Sequence, residues 1–371
     1  MRGVPWHALD HAAALEGIAA ALAGRPAERV VDRVLRQHRG LSSQARTAVV
    51  EAVYGVALWR RRLDPAGAKG PRELLSSLLG LADGGEAPED FGVRHSLPPW
   101  LAELTLREFG RDADAFADAL NLPGPICLRA NGLKTSRDRL ATRLRDEGVT
   151  TRPGLMAPHC LVVEGPRPNL LPLASFRDGW FEVQDEGSQL LGTLVEARPG
   201  DSVLDLCAGA GGKSLLLAAD MKNRGELHVF DVDHERLERL RQRAFRAGVL
   251  CLRIHHALPE ELLVDRVLVD SPCSELGALR RGPDARFRIH PGGFATLPAL
   301  QRQLLETALR HLRPGGRLVY ATCTFRREEN EEVAQDFERA HPEVRRAQDF
   351  FRCAPHSHGT DAFFAAVYER A

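Results

Sequence analysis

Residues 204–214, LDLCAGAGGKS, carry the apolar run of a strand into a turn holding Gly209, Gly211 and Gly212, then into a helical stretch that starts near Lys213. Glycines at such a turn let the backbone approach a ligand closely and aim amide hydrogens at it. Three nucleotide chemistries use the device. A phosphate-binding G-x-x-x-x-G-K-[ST] loop fits Gly212, Lys213 and Ser214 at its end, but needs its first glycine where Cys207 stands. A dinucleotide G-x-G-x-x-G that begins at Gly209 needs glycine where Ser214 stands. S-adenosylmethionine remains: its amino-acid end can lie over a short glycine turn while its ribose meets an acid at the end of the next strand. HVFDVD offers that acid, Asp231, which follows Asp205 by 26 residues. The offset is close to the roughly 20 residues seen for ribose-binding acids in related folds.

Outward from this turn the pattern is regular. The apolar runs SVLDLC, ELHVFD, LCLRIH, DRVLVD and GRLVYATC alternate with helical stretches, the order of a parallel α/β sheet wrapped by helices. Upstream, ICLRANGLK and HCLVVEG read as strands around a helix, SRDRLATRLRDEG, capped by Ser136, which makes a compact α+β unit. The first 60 or so residues are rich in alanine and leucine at helical spacing, and glycine and proline accumulate from Asp64 to His95. Three parts are expected: a helical domain with its linker over 1–94, the α+β domain over 95–175, and a Rossmann-like domain over 176–371.

Composition narrows the class. The 371 residues are 44% hydrophobic, and no run approaches the roughly 20 apolar residues of a membrane span. Nor does the start read as a secretory signal. A cytoplasmic protein with no membrane partner is expected, and nothing points to a stable protein partner. Seven scattered cysteines without a C-x-x-C pair suggest reduced thiols, and no metal site is expected: Cys353, His356 and His358 lack a fourth ligand nearby. The 50 basic and 50 acidic side chains cancel, yet only Lys69, Lys134, Lys213 and Lys222 among the basic ones are lysines. Arginine forks suit phosphate, and arginines bunch in WRRRL, ERLERLRQRAFR and RRGPDARFR. Solvated faces would read the same way.

Two thiols share a setting. VLVDSPCSELG places Cys273 just beyond Asp270 at the end of one strand, and VYATCTF places Cys323 at the end of another, 50 residues on. Ligands of open α/β sheets lie outside these carboxyl ends. Beside a methyl-donor turn, the pair suggests covalent catalysis. Carbon 5 of a pyrimidine attacks a methyl sulfonium only after a thiolate has added to carbon 6. The thiolate needs a nearby helix start or cation, for which Arg326 and Arg327 are candidates. The acids of EENEE read as first-turn residues of the following helix.

These motifs, together with FEVQDEGSQL, LRANGLKT and HGTDAFFAAVYER, resemble in order and spacing the RsmB/Nop2/Sun family of RNA cytosine-5 methyltransferases. The resemblance runs from about Leu97 to the C-terminus, with a looser likeness of the N-terminus to NusB-like domains. It implies a Rossmann-like class I methyltransferase domain, a small RRM-like α+β domain and a helical NusB-like domain. Its implied site has Cys323 as nucleophile, Cys273 assisting product release, and Asp270 on the cytosine edge. Cys207, Ala208, Gly209, Ala210, Gly211, Gly212, Lys213 and Asp270 would line the donor's methionine end, and Asp231 its ribose. Family members commonly end the third strand near an aspartate that reads adenine; His255 or His256 stands there in this chain. The implied cofactor is S-adenosyl-L-methionine and the implied partner is RNA, ribosomal RNA first. A catalytically inactive RNA-binding factor and a DNA cytosine-5 methyltransferase are the alternatives.

Overall fold

The computed structural model describes residues 3–82 and 87–371. The chain gathers into two compact units, one formed by Met1–Pro123 with Ala278–Gly293, the other by Gly124–Gly277 with Phe294–Ala371.

The first unit is helical. Asp10 and Ser42 accept from the open amides of Ala13 and Ala45 and so start the helices His11–Leu22 and Ser43–Leu63. Ile18, Val34, Val49, Val53 and Leu78 are fully buried between the helices. Gly17 is required here because a Cβ would stand 2.5 Å from Val53. The segment Ala278–Gly293, far along the chain, completes this unit. Asp284 accepts the Ala27 N–H at 3.2 Å at a helix start where Pro26 offers no side-chain cap. Arg286 is wholly buried and donates to Asn121 Oδ1 at 2.6 Å, its guanidinium pushed down to about 10 by burial. This arginine of RRGPDARFR is therefore no phosphate contact.

The second unit holds two sheets. In the smaller, β1 (Cys127–Ala130), β2 (Thr151–Pro153), β3 (Cys160–Val163) and β4 (Phe181–Val183) pair antiparallel in the order β2-β3-β1-β4, with the helices Arg137–Asp146 and Ala174–Arg177 between strands. This is the ferredoxin-like βαββαβ arrangement. Residue 175, the expected domain edge, falls inside its second helix, and β4 follows.

The larger sheet contains β5 (Ser202–Asp205), β6 (Glu226–Phe230), β7 (Leu252–His255), β8 (Val264–Asp270) and β9 (Leu312–Thr322), all parallel, in the order β9-β8-β5-β6-β7. Beyond β9 lie β10 (Val344–Arg346), β11 (Phe351–Cys353) and β12 (Phe363–Arg370), where β12 is antiparallel to β9 and also pairs with β10 and β11. Neighbours along β5 face opposite ways, Val203 into one buried layer with Leu217 and Leu237, Leu204 into the other with Leu305 and Ala308. The strand order reverses at β5, with β6 on one side of it and β8 on the other, so a crevice opens between the ends of β5 and β8. The sequence pattern predicted the five parallel strands; the antiparallel edge is an addition.

Candidate active site

At the end of β5 the backbone closes on its neighbours: Leu206 donates to Leu268 and Ala208 to Phe230. Gly209 and Gly211 take φ of 52° and 88°, which side-chain-bearing residues adopt at a cost, and a Cβ on Gly211 would meet Leu240 at 2.6 Å. Helix Gly212–Asp220 starts without a side-chain cap, so its first amides face the crevice unclaimed by a capping group. Asp231 braces the turn, accepting from Gly209 N through Oδ2 and from Asp233 N through Oδ1, both at 2.8 Å. Ser214, the residue that breaks the dinucleotide pattern, donates to Asp205 Oδ2 at 2.7 Å. Asp205 is 1% exposed and its Oδ1 has no partner. Burial drives its carboxyl up to about 7, against the Ser214 hydrogen bond, with the charges of Asp270 and Asp231 adding to the rise.

A cavity of about 350 Å³ lies against this turn, lined by Asp205, Cys207, Gly209, Lys213, Asp270, Cys273 and Cys323 among others. The sequence expected these groups on one rim, and the adjacent ends of β8 and β9 do bring the two thiols together, with Cys273 Sγ 3.4 Å from Cys323 Sγ. Cys273 Sγ also accepts the Cys323 N–H at 3.4 Å. Lys213 reaches Asp270 Oδ2 at 2.7 Å. Burial opposes its charge, but Asp270 and then Cys323 outweigh burial and hold the ammonium above the ordinary lysine range. The contact with Cys273, burial, and the charges of Asp270 and Glu275 push the Cys323 thiol well up. Burial among carboxylates does the same to Cys207, which leaves it an apolar liner.

Of the two expected cations, Arg326 is engaged elsewhere. Arg326 pairs with Glu329 at 3.0 Å and with Glu328 at 3.6 Å, and its guanidinium lies over Phe294. Lys213 is the cation whose charge couples to Cys323. Nor are the EENEE acids all first-turn residues. Glu331 and Glu332 open the helix Glu331–Ala340, but Glu329 is fully buried. It accepts from Ser274 N at 2.9 Å and Gln301 Nε2 at 3.1 Å, while its carbonyl takes the Tyr320 hydroxyl. Asn330 accepts from Thr322 Oγ1 and donates to the Thr324 carbonyl, which fixes the loop on both sides of Cys323. A Cβ on Gly277 would stand 2.0 Å from the Ala362 carbonyl oxygen, so only glycine lets the Cys273 loop pass there. Of the two histidines after β7, His255 hydrogen-bonds His228 at 2.9 Å and His256 lies edge-on to His234. Burial lowers the pKa of both His228 and His255.

Outside the cavity, Cys353 is buried with its thiol on the Asp361 carbonyl, and His358 pairs with Ser357. Among the described residues no helix is long and apolar enough to cross a membrane.

A parallel sheet with this strand order and an antiparallel strand beside β9, a glycine turn after β5 and an acid after β6 together define a class I methyltransferase fold. Residues 192–369 match the family model of 16S rRNA methyltransferase RsmB/F, and residues 97–169 match the RsmF/B-like ferredoxin-like domain. The probable ribosomal RNA small subunit methyltransferase B of Synechocystis is 32% identical over 303 residues, 76% of this chain and 68% of that protein. The chain spans about two thirds of the length of the first curated relatives it matches. The crystal structure of PH0851 superposes with a TM-score of 0.81 at 23% identity, covering 99% of both chains. NSun6 from Pyrococcus horikoshii, solved with SFG, gives a TM-score of 0.68 at 22% identity, covering 74% of this chain and 98% of that one. The chain belongs to the RsmB/F family of methyltransferases.

Proposed function

We propose that this chain transfers a methyl group from S-adenosyl-L-methionine to carbon 5 of a cytosine in RNA, in the RNA of the small ribosomal subunit first of all, through a covalent adduct on Cys323. The observation that carries the reading is the pair of thiols 3.4 Å apart on a cavity shared with the glycine turn and the Lys213–Asp270 pair. The names of the relatives support the RNA class, and SFG, an analogue of S-adenosylmethionine, in a structural neighbour supports the donor.

The residues present fit such a donor. Asp205 Oδ1 is a buried acceptor without a partner and suits an ammonium. The open amides after Gly211 suit a carboxylate, and Asp231 suits ribose hydroxyls. When bound, the donor would supply an electrophilic methyl on a positive sulfonium. A positive charge beside Cys323 favours its thiolate, as Lys213 already does. The thiolate adds to carbon 6 of an unstacked cytosine, and the ring electrons move toward the edge held by Asp270, whose charge Lys213 balances. Once carbon 5 carries the methyl, its proton passes to a base, for which Cys273 stands closest to Cys323. The returning electron pair then expels Cys323. The ferredoxin-like domain and the helical unit would hold the surrounding RNA by phosphate contacts and shape.

Capture of RNA carrying 5-fluorocytosine tests the assignment. Cys323→Ala should abolish the denaturant-resistant complex, while Cys273→Ala should leave the protein attached to ordinary RNA. Capture that depends on Cys273 and not on Cys323 reverses the two roles and favours a DNA-type mechanism.

A further inference from the structure

Buried side chains outside the cavity converge on the carbonyl groups of the glycine turn. In the small sheet Arg129 of β1 stands directly opposite Glu182 of β4, and the two are 3% and 4% exposed. Arg129 reaches the turn of the other sheet directly, and Glu182 reaches it through Arg243. Arg129 Nη1 donates to the Gly212 carbonyl at 2.6 Å and to Gln184 Oε1. Glu182 Oε2 accepts from Arg243 at 2.9 Å and 3.2 Å, and its Oε1 accepts from Arg246. The remaining nitrogen of Arg243, Nη1, donates to the Ala210 carbonyl at 2.6 Å. Two arginines of ERLERLRQRAFR thus share a buried carboxylate, and Arg243 adds a backbone oxygen, in place of the phosphate that the cluster suggested.

We propose that Arg129 and Arg243, with Glu182 orienting Arg243, are positioning residues that lock the glycine turn in its donor-binding shape, making the small sheet an integral part of the donor site. The inference rests on the reading of this turn as the donor site. A turn with three glycines in four residues has more backbone freedom to lose on ordering than one built of side-chain-bearing residues. Pinning two of its carbonyl oxygens from behind removes that freedom before the donor arrives. Because each peptide is planar and trans, a carbonyl drawn to one side turns the next N–H to the other, which sets Lys213 N toward the ligand side when the Gly212 carbonyl is held. The two carbonyl dipoles are also drawn away from where the donor's carboxylate would lie.

The test separates this role from ordinary cohesion between the sheets. Sinefungin affinity by calorimetry, donor-free RNA affinity by fluorescence anisotropy, and amide exchange over residues 207–214 are measured for the full chain, Arg129→Met, Arg243→Met and the conservative Arg243→Lys. The expected result is sinefungin binding weakened about tenfold in both methionine variants, RNA affinity held within about twofold, and faster exchange confined to the turn. Arg243→Lys, which keeps one donor for the Ala210 carbonyl, should recover part of the loss. Sinefungin binding within about threefold of the unmodified chain overturns the inference, as does a parallel loss of donor and RNA affinity. If the methionine variants do not fold, Arg243→Lys and Glu182→Gln decide on turn exchange alone: unchanged rates overturn the proposal and faster rates support it. Failure of the unmodified chain to bind sinefungin would refute the donor-site reading instead.

Discussion

Replacing Asp205 with asparagine should make the protein more stable and a poorer methyl-donor binder at the same time. The carboxyl is 1% exposed, holds one hydrogen bond from Ser214 through Oδ2, and leaves Oδ1 unpaired. Burial holds its folded pKa at about 7, well above the ordinary carboxylate range. An acid raised in this way favours the folded state fully below its unfolded pKa, and that stability is lost as pH rises through the folded pKa. A rise of this size corresponds to an upper bound of about 4 kcal/mol, and roughly half remains once water in the cavity is allowed for. Asparagine keeps an oxygen for the Ser214 hydroxyl and carries no charge to desolvate. Denaturant unfolding of Asp205→Asn should therefore show a flatter pH profile between about pH 4 and pH 7 and a gain of about 2 kcal/mol at pH 8. Sinefungin binding at the same pH should weaken about 10- to 100-fold through loss of a charge-assisted hydrogen bond to the ammonium. In the unmodified chain it should weaken as the pH falls below about 7. Donor affinity that is unchanged in the variant and independent of pH would refute the assignment of Oδ1 to the donor.

Glu329→Gln should cost about 3 kcal/mol in unfolding titrations by leaving Arg326 without its buried partner. It should also lower the rate of adduct formation measured by 5-fluorocytosine capture. Lys213→Met should leave the fold intact by circular dichroism and slow single-turnover methyl transfer about 100-fold, since both Cys323 and Asp270 lose their cation. Gly277→Ala, with a Cβ 2.0 Å from the Ala362 oxygen, should lower the thermal midpoint by several degrees and reduce capture by Cys323. Gly17→Ala, crowding Val53, should destabilise the helical unit by about 1–3 kcal/mol without changing sinefungin affinity.

What could be read from the sequence depended on how local each signal is. The turn from Cys207 to Lys213, Asp231, Asp270, Cys273 and Cys323 each follow an apolar run, so their gathering at one rim followed from the alternation of strands and helices. The strands Thr151–Pro153 and Phe181–Val183 are three residues each, too short for alternation to register. Phe363–Arg370 is buried on both faces along most of its length, so its apolar run carried no sign of direction. Glu329 was hidden in a run of charges whose other members do what such runs usually do. Arg243, Arg246 and Arg286 were misleading for the opposite reason: their partners Glu182 and Asn121 lie more than 60 residues away, and no local pattern marks a distant carboxylate or amide.

The excursion of Ala278–Gly293 has a bearing on biosynthesis. The amino-terminal helices emerge from the ribosome early, yet the carboxylate of Asp284 that caps the start of one of them and the guanidinium that fills the space beside Asn121 arrive some 160 residues or more after the last of those helices. The first unit to be translated is thus the one that must wait, its final consolidation coming only after the first four of the eight strands of the larger sheet have been made.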